Sequence, residues 1–260
     1  MKKLPLIMVA PNGARRTKSD HQAIPVTLLE LVETGRACFE AGAGAMHAHV
    51  RDEAQQHVLD AGLYRELITE MRLHVPELAV QITTEAVGRY SSAQQRKLVR
   101  DVEPEAVSVS MVEMLSDGNE KEARAFYKWC AQAEVCVQHI LYSSQELLKF
   151  ITLAKGGFFS TETPQLLFVL GRYAKNQESD PEMLDPFLQT LEARGFASDW
   201  AVCAFGEAET SCALKAIELG GKCRVGFENS LWNSNGQLAG NNAERVAEIN
   251  SLVNICELNL

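Results

Sequence analysis

No stretch of this 260-residue chain approaches the roughly 18 uninterrupted apolar residues that a membrane span requires. A secretory leader is equally hard to find. Lys2 and Lys3 precede a short apolar run, but Pro5 interrupts it and Pro11 and Gly13 stop it before an h-region could form. The seven cysteines include no CxxC pair, and an odd number set in apolar patterns reads as free thiols of a reduced cytoplasmic protein. With 25 Lys and Arg against 34 Asp and Glu, the formal net charge of -9 disfavours nucleic acid and anionic membranes as partners. Linkers, charge blocks and low-complexity stretches are lacking too, so residues 1–260 are expected to form a single domain.

What is present is alternation. Short runs rich in Val and Ile, bounded by turn or polar residues, mark strands at 6–10, 45–50, 79–83, 106–110, 135–140, 166–170, 200–204 and 223–227. Helical patterns lie between them, over 27–41, 63–73, 93–101, 120–133, 145–154, 181–194, 209–219 and 243–256. Thr27 and Glu30 have the spacing of a capping box. Gly42, Gly156, Gly195 and Gly220 fall just past helix ends, where a left-handed residue is wanted. Eight strand–helix units imply parallel strands joined by right-handed crossovers, and their number and the chain length favour a closed α/β fold, the (β/α)8 TIM barrel. The rival is an open Rossmann-like sheet. It lacks its GxGxxG, because the first strand runs into Ala10-Pro11-Asn12-Gly13-Ala14-Arg15-Arg16.

The sharpest chemical feature is Met46-His47-Ala48-His49-Val50-Arg51-Asp52. Side chains alternate along a strand, so His47 and His49 point to one face, toward the site-bearing mouth of a barrel. Two imidazoles suit Zn²⁺ or another divalent ion, and a catalytic zinc needs about three protein ligands and an open position. Two histidines bonded to neighbours in a polar interior fit the pattern equally well. Glu228, just past the eighth strand, is the best third ligand. It lies four residues after Arg224, so the two share a face if that strand continues regularly, and a plain Arg–Glu pair is the alternative.

Polar residues end other strands. Thr83 and Thr84 follow the third, Ser108 and Ser110 lie on the fourth, and Gln138 and His139 on the fifth, where they could hydrogen-bond a carboxylate or carbonyl. Singly each reads as a local cap or turn bond; as a set they support a site. Arg15 and Arg16 follow the first strand, where an arginine could clamp a substrate carboxylate and a solvated loop residue is the simpler reading. His21, His57 and His74 read as ordinary surface residues.

These residues, with the Asn12-Gly13-Ala14 loop, Phe39-Glu40-Ala41-Gly42-Ala43, Gln81-Ile82-Thr83-Thr84, Leu167-Phe168-Val169-Leu170-Gly171 and the late Arg224-Val225-Gly226-Phe227-Glu228, resemble the β-keto acid cleavage enzymes. The matches span nearly the whole chain in order. The resemblance implies a zinc-bearing (β/α)8 barrel that converts a small anionic β-keto acid and acetyl-CoA into acetoacetate and a new acyl-CoA. It implies His47, His49 and Glu228 as metal ligands, Thr83 and Ser108 as hydroxyls on the substrate carboxylate, and Arg224 as the arginine linked to the catalytic base. It also implies a homo-oligomer, a dimer or tetramer.

Departures fall beside that base. Asn229 stands where the family has the aspartate that accepts the proton, and an amide cannot do so near neutral pH. Gln138 replaces a carboxylate expected to support Arg224. Glu85 is the first alternative base, ahead of His139 and Glu207, although an ordinary surface loop carboxylate is the simpler reading of it. Gly171-Arg172-Tyr173-Ala174-Lys175 stands in place of a Gly-Pro-rich loop. Arg15 occupies a position that is acidic in members recognising an amino group, which suggests a second negative charge on the substrate. The end at Leu260 precedes the usual family terminus, so a final helix is expected to be missing. The competing readings are a metal-dependent barrel lyase or hydrolase that does not use CoA, and a binding homologue that keeps the metal without turnover.

Overall fold

The computed structural model describes Met1, residues 3–172, Asn176 and residues 178–258. The expected Tyr173–Lys175 departure lies outside the described residues. The strands are β1 (Ile7–Val9), β2 (Ala45–Ala48), β3 (Ala79–Thr83), β4 (Ala106–Ser110), β5 (Cys136–Leu141), β6 (Gln165–Leu170), β7 (Asp199–Ala204) and β8 (Lys222–Val225). They pair in parallel, in chain order, and β8 closes on β1 with Met8 opposite Arg224. The expected (β/α)8 barrel is the observed fold.

The helices are α1 (Leu28–Glu40), α2 (Ala61–His74), α3 (Ser92–Val102), α4 (Met111–Met114), α5 (Glu120–Gln132), α6 (Ser144–Lys155), α7 (Asp185–Arg194), α8 (Glu209–Glu218) and α9 (Asn242–Leu258). The capping box forms at α1: the Thr27 hydroxyl accepts from the Glu30 amide, and the Glu30 carboxylate accepts from the Thr27 amide. Four sequence expectations need correction. The short α4 had no counterpart. The pattern over 181–194 divides into a 3-10 turn, Pro181–Leu184, and α7. Gly156 caps α6 with φ −80, and it is Gly157 that takes the left-handed conformation. Strand β8 stops at Val225, because Gly226 turns away at φ +130.

Burial is layered. Between strands and helices lies a large apolar shell that includes Val9, Met46, Ile82, Val107, Phe168 and Val225. Inside the barrel a smaller apolar plug of Leu4, Met8, Ala45, Leu167, Ala201 and Cys203 fills the space behind the mouth. A buried polar group inside a barrel so filled must answer to another polar group or to a ligand.

Strand alternation also corrects the reading of β5. Gln138 faces the interior, whereas His139 faces the helices, with its ring 5.3 Å from Tyr127, 4.7 Å from Phe150 and 4.6 Å from Phe159. His139 is withdrawn from the mouth and cannot serve as a base there. Burial pushes its pKa down from 6.5 to about 3. A depressed folded-state value means that the stability this neutral imidazole contributes above about pH 6.5 is lost as pH falls toward about 3. Urea unfolding is expected to lose up to about 1.4 kcal/mol per pH unit through this residue in that window. His139→Leu should flatten the slope; an unaltered slope in the variant would refute the assignment.

Candidate active site

Three side chains converge at the C-terminal ends of β2 and β8. His47 lies on β2, His49 one residue beyond it, and Glu228 three residues beyond β8. The facing Nε2 atoms of His47 and His49 are 3.1 Å apart, and each lies within 3.6 Å of Glu228 Oε2. His47 and His49 are about 1 % and 0 % exposed. Among the described residues this trio is the group whose ligand atoms fit around one metal ion.

Hydrogen bonding fixes the His47 tautomer. Its Nδ1 lies 2.8 Å from Gln81 Oε1, an oxygen that can only accept, so Nδ1 carries the proton and Nε2 keeps its lone pair. Gln81 donates in turn to Gln138 Oε1 at 3.0 Å. Burial, and then the Arg224 charge, hold His47 neutral by pushing its pKa well below the usual range. For the Glu228 carboxyl burial opposes ionisation, but the adjacent Arg224 charge outweighs it and holds the pKa well below normal.

A lone pair, a second imidazole nitrogen and an anionic oxygen thus face one point, and Glu228 Oε2 receives no hydrogen-bond donor. Ligand atoms about 2.0–2.2 Å from a tetrahedral ion lie about 3.3 Å from one another, close to the spacing here. The donor set fits a divalent cation that favours imidazole and carboxylate.

Local sequence explains how Glu228 arrives, since the regular strand expected to carry it does not exist. Gly226 sits where a Cβ would lie 2.7 Å from the Ala10 carbonyl oxygen, and its φ of +130 suits glycine alone. Gly13 leaves room for Glu228 itself, because a Cβ there would lie 2.6 Å from its Cγ. The turn is tied down on every side. Gly226 N donates to Glu209, Phe227 N to Asn242 Oδ1, and Arg16 donates to the carbonyls of Phe227 and Asn229. Arg16 thereby ties its own loop to the one that carries Glu228. Asn12 does the same for His49, donating to its carbonyl and accepting from its amide.

Around the trio, several buried polar atoms have no protein partner: Nε and Nη1 of Arg224, Ser108 Oγ and Asn229 Oδ1. Arg224 spends only Nη2, on Glu228 Oε1 at 3.1 Å and Cys203 Sγ at 3.6 Å. Gln138 bonds Gln81 and makes no hydrogen bond to Arg224. Thr83 Oγ1 accepts from the Glu85 amide, and the Glu85 carboxylate lies 3.8 Å from the exposed Arg15. Ser110 is the N-cap of α4, its hydroxyl accepting from the Glu113 amide at 3.4 Å. Glu207 is exposed in the turn after β7.

His57 contradicts its sequence reading outright. It is 3 % exposed, with its ring 4.8 Å from that of His49. Asn12 and Gln81 belong to motifs that carried the family resemblance but were given no role, and His57 carried no local signal; each matters through a partner distant in sequence.

Fold and site together define a class: a barrel enzyme with a two-histidine, one-carboxylate cluster and a buried, half-satisfied arginine at its mouth. A family model for beta-keto acid cleavage enzymes matches residues 5–260, and the chain belongs to that family. It is 26% identical to 3-oxoadipate:acetyl-CoA acetyltransferase of Cupriavidus necator over 95% of this chain and 87% of the relative. It is 27% identical to 3-keto-5-aminohexanoate cleavage enzyme of Fusobacterium nucleatum, over 96% of this chain and 90% of the relative. A solved structure of ObcA with oxaloacetate superposes with a TM-score of 0.72 at 15% identity, over 90% of this chain and 64% of that one, and shows the shared fold.

Proposed function

We propose that the protein cleaves an anionic β-keto acid with acetyl-CoA, giving acetoacetate and an acyl-CoA, at a zinc or other divalent centre held by His47, His49 and Glu228. The observation that carries this reading is the convergence of the two Nε2 atoms on an unpartnered carboxylate oxygen. Relatives whose names specify β-keto acids and acetyl-CoA support the substrate class. The ion, when bound, supplies Lewis acidity that makes the carbon between two carbonyls more acidic. Thr83 and Ser108 offer hydroxyls to the substrate carboxylate, and Arg224 offers its two unpartnered nitrogens, Nε and Nη1, to a substrate oxygen. Burial of His47, Ser108 and Arg224 strengthens those contacts. A base must then take the proton. Glu85 is the carboxylate assigned to that role, with Asn229 unable to fill it. Arg15 favours a substrate with a second negative charge. No described helix is long and apolar enough to cross a membrane. The described cysteines are free, which supports a reducing, cytoplasmic setting. A dimer or tetramer is part of the same reading, on family resemblance.

One observation favours a second reading: Asn229 is buried with an unpartnered Oδ1 where a carboxylate would act, as in a protein that binds ligand without turning it over. Metal analysis of the wild type and His49→Ala, followed by incubation with acetyl-CoA and a keto-acid panel that includes 3-oxoadipate, separates the possibilities. Stoichiometric zinc and His49-dependent acetoacetate are expected. Bound zinc without acetoacetate across the panel would favour the binding reading, and turnover independent of acetyl-CoA would favour a lyase or hydrolase.

A further inference from the structure

Beside the trio, two buried imidazole nitrogens have no hydrogen-bond partner: Nδ1 of His49 and Nδ1 of His57. The two rings are 4.8 Å apart and inclined at 56°. Elementary chemistry decides which nitrogen carries a proton. His57 Nε2 lies 3.1 Å from the Glu85 carbonyl oxygen, which can only accept. The proton of His57 is therefore on Nε2, and its Nδ1 keeps a lone pair. His49 turns Nε2 toward His47 and Glu228, where a lone pair is needed to hold a cation, so its proton belongs on Nδ1. One free donor and one free acceptor are left on adjacent rings.

We propose that His57 is a positioning residue for the metal centre: its Nδ1 accepts the Nδ1–H of His49, fixing the tautomer and ring angle of that ligand. The inference rests on the metal reading of His47, His49 and Glu228. The two rings are 4.8 Å apart, and histidine χ2 is a soft torsion, so the proposed bond calls for ring rotation and no rearrangement of the backbone. His57 is itself held for the task. It forms an isolated bridge with Arg51, its carbonyl accepts from Arg89, and its ring meets the edge of Tyr90 at 6.5 Å. His47 has the matching arrangement through Gln81, so both histidine ligands have an outer partner from a different segment.

The test is zinc affinity, measured by chelator competition on metal-stripped wild type, His57→Phe and His57→Asn. Asn places an acceptor oxygen near the position of the imidazole Nδ1; Phe keeps the ring and removes the acceptor. His57→Phe is expected to bind zinc about 10–100-fold more weakly, with His57→Asn close to wild type. Wild-type affinity in His57→Phe, or equal weakening in both variants, would overturn the proposal. Nitrogen NMR of the zinc-loaded wild type provides a readout independent of variant folding. A neutral His57 protonated at Nε2 is expected, and a proton on its Nδ1 would sink the idea. If the wild type itself fails to bind zinc, the metal reading falls and this inference with it. If it binds and His57→Phe is unaffected, only this inference falls.

Discussion

Glu228→Gln is expected to strip the protein of stoichiometric zinc and to lower kcat/KM by at least about 100-fold, the rate equivalent of losing several kcal/mol of Lewis-acid stabilisation. The substitution keeps the shape of the side chain and removes its charge. Two consequences follow from the geometry. The imidazoles of His47 and His49 lose the anionic oxygen that lies within 3.6 Å of both. Arg224, with only about 5 % of its side chain exposed, loses its single ion-pair partner among the described residues. An uncompensated buried charge of that kind costs about 3–5 kcal/mol, so apoprotein stability in urea should fall along with metal affinity. Unaltered zinc affinity in the variant, measured against a competing chelator, would remove Glu228 from the ligand set. Lost affinity with unaltered apoprotein stability would mean that Arg224 finds another counter-charge.

Asn229→Asp carries the second large expectation: acetoacetate formation rises by about 10²–10⁴-fold, the usual contribution of a well-placed general base. Asn229 is 1 % exposed, and its backbone is pinned by the Gly226 carbonyl and by Arg16, so the side chain can be exchanged without moving the turn. Its Oδ1 has no partner, which leaves the position free for a carboxylate to work. Zinc content should be unchanged. The rate of the variant should climb with pH as the new carboxylate ionises. If activity falls instead, Asn229 is not the missing base position and the native base is undisturbed by restoring it, so Glu85→Gln is the variant to assay next.

Most of the barrel was legible in the sequence because each strand is a short apolar run and each helix a longer periodic one. Legibility failed where two elements abut without a break in composition. Met111–Met114 follows β4 without a turn residue to mark a new element, so α4 was missed, although the end of the strand at Ser110 was read correctly. Strand β8 read as too long because Phe227 extends the apolar pattern past a glycine whose backbone turns the chain. At the site, His47 and His49 were legible from alternation alone, a local property. The inward set was harder: strand parity alone decides that Gln138 reaches Gln81 while His139 packs against Phe150 and Phe159. His57 was illegible for a different reason. Its burial comes from the bridge to Arg51 and the rings of His49 and Tyr90, none of which leaves a trace in composition or period.

The seam between β1 and β8 has a consequence for biosynthesis. Its stitches run from Glu228 N to the Ala10 carbonyl, from Asn242 to the Pro11 carbonyl and from Arg16 to Phe227, and they join the two ends of the chain. Both histidines emerge from the ribosome early, but the carboxylate follows about 180 residues later, a separation that puts it among the slowest contacts to form. A nascent chain paused anywhere before that point holds an incomplete cage and no closed ring. On the metal reading, an ion can be held by all three ligands only once the segment after the last strand has docked against the first.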